Sequence, residues 1–179
     1  MQKLTLKKNK KTVTVVFIAA VLIGAVIGFA ITSGMLFKTK ASPKTFTTDG
    51  MNITLTDEFF ESNPKGYTAV YDTKDIVVYT LKESFDILPA FKDFSIEEYG
   101  EMIAQVNSLG SSEIKTADNL TYFEYDYTNE ETKNSYHYVS FVYKAHDAFW
   151  FIQFATLAEN AETFAPQIFD WAKTVKFEE

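Results

Sequence analysis

The chain reads as an α+β domain built on a central antiparallel β-sheet and preceded by one transmembrane helix. Three observations predict this. Residues 13–37 contain no charged side chain. Further along, runs rich in aromatic and β-branched residues follow one another across short polar turns, the pattern of antiparallel hairpins. Two other segments, residues 95–108 and the stretch carrying Phe164, Ile168, Trp171 and Val175, place apolar residues at helical spacing.

The apolar run comes first. Its 25 residues would extend about 37 Å as a helix at ~1.5 Å per residue, enough to cross a hydrocarbon core of roughly 30 Å with some tilt. Backbone amides in lipid must be satisfied within the segment, which favours a helix despite many β-branched residues. A cleaved leader has a shorter apolar core and a small-x-small exit, and Met35-Leu36-Phe37-Lys38 offers no such exit. An uncleaved signal-anchor is therefore expected. Lys3, Lys7, Lys8, Lys10 and Lys11 precede the run, and Lys38, Lys40 and Lys44 follow it. The excess on the N-terminal side predicts a cytoplasmic N-terminus and an extracytoplasmic C-terminal domain in a cell membrane.

Ala20, Gly24, Gly28 and Thr32 recur every four residues, so they share one face of that helix. Small residues in this spacing allow close helix packing and a homodimer. They are also simply common in membrane helices, and that plainer reading is preferred.

The expected organisation is a basic tail at 1–12, the span at 13–37, a linker at 38–44 and one domain at 45–179. All 24 acidic residues lie at or after Asp49, whereas only nine lysines lie after Lys44, so the domain carries a net charge of −15. Such a surface repels nucleic acid and anionic lipid. The chain has no arginine and no cysteine. Guanidinium clamps, thiolate nucleophiles, disulfides and cysteine-bound metals are thereby excluded.

Within the domain, Asp49-Gly50 between β-prone runs predicts a hairpin, with Met51, Ile53 and Leu55 on one face. Residues 57–61 read as a single helical turn, and residues 67–71 and 76–82 as a second hairpin. Ser95 and Glu98 form a capping box; Ile96, Tyr99, Ile103 and Val106 share a face, and Leu109-Gly110 is the stop. Three long strands follow at 120–128, 136–145 and 148–156. In the first, Phe123, Tyr125 and Tyr127 alternate with Glu124 and Asp126, one face buried and one wet. The third, Phe149-Trp150-Phe151-Ile152, is apolar on both faces and belongs mid-sheet. Pro166 suits only a first turn, which sets the last helix to begin near Thr163 or Phe164. Residues 175–177 read as a short edge strand.

Gly50-Met51-x-Ile53-x-Leu55, the long aromatic hairpins, Phe149-Trp150-Phe151 and the closing Ile168…Val175-Lys176-Phe177 resemble the PsbP/DcrB-like superfamily over nearly all of 45–179. That group includes the extrinsic P protein of photosystem II, bacterial envelope proteins and a nuclear GTPase-binding protein. The resemblance implies an α/β/α sandwich, with helices on both faces of the antiparallel sheet. It carries architecture and not activity.

Chemistry is sparse. A hydrolytic relay would need His137 with Ser135 or Ser140 and a carboxylate, or His146 with Asp147; a calcium site would need Glu124, Asp126, Glu130 and Glu131 to converge. Neither spacing demands it. Phosphate-binding loops and dinucleotide fingerprints are absent. No catalytic residue, cofactor or metal is expected. The reading is a non-catalytic, membrane-anchored envelope protein whose domain binds or scaffolds another membrane or envelope component. The alternative is a small-molecule receptor with an aromatic pocket between helix and sheet.

Overall fold

The computed structural model describes residues 3–8, 11–16, 41–109 and 113–178. At the N-terminus, β1 (Lys3–Lys8) and β2 (Lys11–Val16) pair as an antiparallel hairpin. This corrects the expected start of the span, since residues 13–16 are extended. Five β-branched residues in succession from Thr12 to Val16 suit a strand. The rest of the expected span, with Ala20, Gly24, Gly28 and Thr32, lies outside the described residues. Among the described residues no helix is long and apolar enough to cross a membrane.

The domain opens with β3 (Pro43–Thr48) and β4 (Met51–Thr56), joined at Asp49 and Gly50. Both turn residues have positive φ, 46° and 85°, the two-residue hairpin geometry that Asp-Gly favours. The expected helical turn at 57–61 is instead a tight turn leading into β5 (Phe60–Ser62). There follow β6 (Ala69–Asp72), β7 (Ile76–Ser84), β8 (Lys115–Ala117), β9 (Leu120–Thr128), β10 (Ser135–Lys144) and β11 (Ala148–Leu157). These form one antiparallel sheet in the order β5-β6-β7-β11-β10-β9-β8. The all-apolar strand β11 is central, buried from Ala148 to Thr156.

A second sheet was not foreseen. The closing strand β12 (Lys176–Phe177) does not extend the main sheet but pairs with β4, opposing Phe177 to Met51, and makes a three-stranded sheet in the order β12-β4-β3.

One helix covers each face of the main sheet. Helix α1 (Ile96–Val106) begins with the expected capping box: the Glu98 amide donates to Ser95 Oγ at 3.1 Å and the Ser95 amide to Glu98 Oε2 at 2.8 Å. Its end differs from expectation. Ser108, at φ 57°, takes the left-handed position, and the Ser108 and Leu109 amides donate to the Gln105 and Ala104 carbonyls, a Schellman closure without glycine. Gly100 permits close approach, because a Cβ there would lie 3.2 Å from Ile114 Cδ1. Helix α2 (Ala161–Ala172) starts earlier than expected, after a 3-10 turn at Ala158–Asn160, and runs through Pro166. The proline removes the amide that would meet the Glu162 carbonyl. Both residues are exposed, so water can serve that carbonyl.

The alternation of β11 divides the core. Phe149 and Phe151 join Tyr99, Met102 and Ile103 of α1, together with Phe85, Phe91 and Phe94 from the segment before it. Trp150, Ile152 and Phe154 face the other way, onto Ile168 and Trp171 of α2 and Met51, Ile53 and Leu55 of β4. Thr174 ties these layers: its hydroxyl accepts from the Thr54 amide at 2.9 Å and donates to the Trp171 carbonyl at 2.6 Å.

Candidate functional site

Helix α1 covers only part of its face of the sheet. Beneath it the strands present phenylalanine: Phe123, Phe149 and Phe151, each 0–1% exposed. Beyond it β9, β10 and β7 present tyrosine, while β11 presents Gln153, Ala155 and Leu157. Val70, Tyr79, Tyr136, Tyr138 and Ala155 form a separate cluster, flanked by Tyr67, Val77, Tyr125, Tyr127 and Leu157, and no residue of either helix belongs to it. The change of residue type marks the edge of the helical cover, because a phenol hydroxyl needs water or a partner and a phenyl ring does not.

Register fixes the arrangement. Asp72, Val77, Ala155, Tyr138 and Tyr125 oppose one another as one row across β6, β7, β11, β10 and β9, and Phe60 of β5 lies opposite Asp72 at its end. The next row holds Val70, Tyr79, Gln153 and Ser140. Tyr125 stacks on Tyr138 with centroids 4.8 Å apart and planes 6° apart, and Tyr67 leans on Tyr79 at 5.0 Å. Buried Gln153 donates to Tyr125 Oη at 2.7 Å and to Ser140 Oγ at 3.0 Å, which fixes that ring from below. Val70, Tyr79, Tyr136, Tyr138 and Ala155 are buried, 1–7% exposed, and Tyr67, Tyr125, Tyr127, Val77 and Leu157 around them are half-buried.

Burial raises the hydroxyls of Tyr67, Tyr79, Tyr125 and Tyr138 above their ordinary range. It acts against the Gln153 bond at Tyr125, and with neighbouring hydroxyls at Tyr138. Tyr79 is pushed up to about 12, first by burial and then by Tyr67, Tyr136 and Asp72. These groups are neutral hydrogen-bond donors at physiological pH. The Asp72 carboxyl is half-buried, held above its ordinary value by burial, and makes no ion pair among the described residues. Phe60 beside it is 74% exposed. The half-buried border of the cluster, Tyr67, Tyr125 and Tyr127 with exposed Phe60, is its solvent-facing part.

A smaller cleft of about 150 Å³ lies where the two sheets meet, lined by Asp49, Lys82, His146, Asp147, Trp150 and Phe177 among others. Lys82 Nζ donates to the Asp49 carbonyl at 3.1 Å and pairs with Asp147 Oδ2 at 3.1 Å and Asp49 Oδ2 at 3.6 Å. The Asp49 and Asp147 carboxylates that line it are thus both engaged by the lysine, and the cleft reads as a staple between the β3–β4 and β10–β11 turns.

The candidate catalytic residues are not brought together. His137 and Ser140 project from opposite faces of β10, and Ser140 is buried under Gln153. Ser135 shares the His137 face but bonds to Thr128 Oγ1 at 2.9 Å. The His137 ring meets carboxylates on both sides, Asp126 at 2.8 Å and Glu124 at 3.9 Å, leaving no nitrogen aimed at a nucleophile. His146 stands 3.8 Å from Asp147 in the exposed turn. The four carboxylates considered for calcium are dispersed: Glu124 pairs with Lys115 at 2.7 Å and Glu130 with Lys133 at 2.8 Å. Among the described residues no group of three His, Asp or Glu side chains is placed to hold a metal. The space between α1 and the sheet, where a receptor pocket was considered, is occupied by Tyr99 lying on Phe149 at 4.1 Å.

No protein-family model matches the chain, and no curated protein matches it. Solved structures do. PsbP from the cyanobacterium Synechocystis sp. PCC 6803 is similar over 84% of this chain and 100% of its own, at 14% identity and a TM-score of 0.53. A Bacteroides thetaiotaomicron VPI-5482 protein is similar over 76% of this chain and 48% of its own, at 11% identity and a TM-score of 0.49. LpqN of Mycobacterium tuberculosis, involved in cell envelope biogenesis, is similar over 79% and 93%, at 10% identity and a TM-score of 0.43. The likeness to PsbP is one of fold.

Proposed function

We propose that the chain is a membrane-tethered docking module without catalytic chemistry. In this reading the part of the uncharged run that follows the β1–β2 hairpin, residues 17–37, crosses the membrane with the N-terminus in the cytoplasm. The extracytoplasmic domain then binds a protein partner in the membrane or envelope through the tyrosine half of its sheet. The observation that carries the reading is the tyrosine cluster beyond α1, bordered by exposed Phe60. The uncharged run of 25 residues supports the tether, and the separation of His137 from any nucleophile supports a binding role.

Two measurements test the halves separately. An alkaline wash of membranes carrying the full chain should leave it in the pellet; release into the supernatant overturns the tether. Partners captured from detergent-solubilised native membranes should be lost with Phe60→Ala, a change at an exposed position that removes the ring, adds no charge and leaves the core intact. The same partners recovered at the same yield with that variant remove the tyrosine face from the account.

A further inference from the structure

We infer that the occupant of the tyrosine face is an extended basic segment, one of whose cationic side chains sits between Asp72 and the tyrosine rings. The inference rests on the docking reading and specifies its partner. Three features point to a cation. Asp72 is a partly desolvated carboxylate with no ion pair among the described residues, although lysines elsewhere in the domain pair with Asp49, Asp75, Asp118, Asp147, Glu124 and Glu130. Aromatic residues are its neighbours on this face: Phe60 is its direct partner in register, and Tyr79, with Tyr67 leaning on it at 5.0 Å, stands one row away. A carboxylate flanked by rings attracts an ammonium or guanidinium through both charge and ring quadrupole. Burial raises the Asp72 carboxyl only moderately, and an arriving cation favours its ionised form.

Charge gives the rest of the specification. The domain carries −15, and at the edge of the tyrosine face Glu131 in the β9–β10 turn and Glu159 after β11 add to Asp72, whereas Asp75 and Glu130 are paired with Lys74 and Lys133. An acidic partner is repelled by this rim and a basic one is steered to it. An extended backbone fits because the half-buried side chains of this face, Val77, Leu157, Tyr125 and Tyr127 among them, stand at strand spacing.

The test uses the full-length protein in detergent micelles, with tyrosine rings isotopically labelled for NMR. It is titrated with three short peptides that alternate valine with arginine, glutamate or serine. The arginine peptide should shift the ring signals of Tyr79 and Tyr138 and bind detectably. Asp72→Asn should weaken it by about tenfold, the scale of a partly desolvated charged contact. Asp126→Asn, which removes the same charge from the opposite face, should leave the affinity unchanged. Equal weakening by the two variants overturns the inference, because binding would then follow net charge alone. Stronger binding of the serine or glutamate peptide at the same rings also overturns it while leaving the docking face standing. Ring signals that move on dilution, with no peptide present, assign the face to a second copy of the chain. Rings that respond to nothing overturn both readings.

Discussion

Tyr99 lies flat on Phe149, with ring centroids 4.1 Å apart and planes 6° apart, and its hydroxyl donates to Glu83 Oε2 at 2.6 Å. Phe149 and Glu83 are register partners on β11 and β7, so one side chain of α1 grips two strands. Tyr99→Phe keeps the stack and leaves Glu83 without its donor, which should lower unfolding free energy by about 1–2 kcal/mol. Tyr99→Ala removes a fully buried ring and should cost about 3–5 kcal/mol. Denaturant unfolding at neutral pH measures both.

Glu83 also predicts a pH dependence. Burial raises its carboxyl above the ordinary 4.5, against the pull of the Tyr99 bond. The folded state therefore favours the protonated acid. Its contribution is full below the unfolded value and is lost as pH rises through the raised native value. Glu83→Gln mimics the neutral form, so its stability relative to wild type should be highest near pH 7 and should decline as pH falls toward 4.5. A difference that is flat with pH contradicts the assignment.

Tyr71 gives the opposite kind of prediction. It is 0% exposed, packs against Phe46 at 4.8 Å, and its hydroxyl has no hydrogen-bond partner among the described residues. Tyr71→Phe removes an unsatisfied polar atom and keeps the ring. The variant should melt at or above the wild-type temperature, whereas Tyr99→Phe should melt below it.

Lys82 staples the two sheets, with only 17% of its side chain exposed. Burial acts to lower its ammonium, but the bonds to Asp147 and Asp49 prevail and raise it. At Asp147 burial acts upward and the Lys82 bonds prevail, holding the carboxyl below 3.8. The Asp147 contribution is present above that value and lost as pH falls through the lowered native one. Lys82→Met should cost about 1 kcal/mol at neutral pH and remove that part of the acid-limb loss, as read from unfolding curves between pH 7 and pH 3.

Most of the domain could be read from its residues because local signals and tertiary context agree there. The Asp49-Gly50 hairpin, the Ser95–Glu98 box and the doubly apolar Phe149–Ile152 run each mean the same thing alone and in the fold. The second sheet could not be read, because the pairing of Phe177 with Met51 spans most of the domain and a two-residue strand has no periodicity. Pro166 misled because an exposed helix face lets water replace the lost bond. The tyrosine face was half legible. Tyr125 and Tyr127 were placed on a buried face, but the switch from Phe123 to Tyr125 along β9 acquires meaning only once α1 is known to stop short of it.

The central claim is that this tyrosine half, and not another part of the surface, meets the partner. Photocrosslinking from within intact membranes tests it directly, with a photoreactive phenylalanine analogue at position 60 or at position 87. Phe60 and Ile87 are equally exposed at 74%, and only Phe60 borders the tyrosines. The account predicts a discrete adduct from position 60 and none from position 87; adducts of equal yield from both, or from position 87 alone, contradict it.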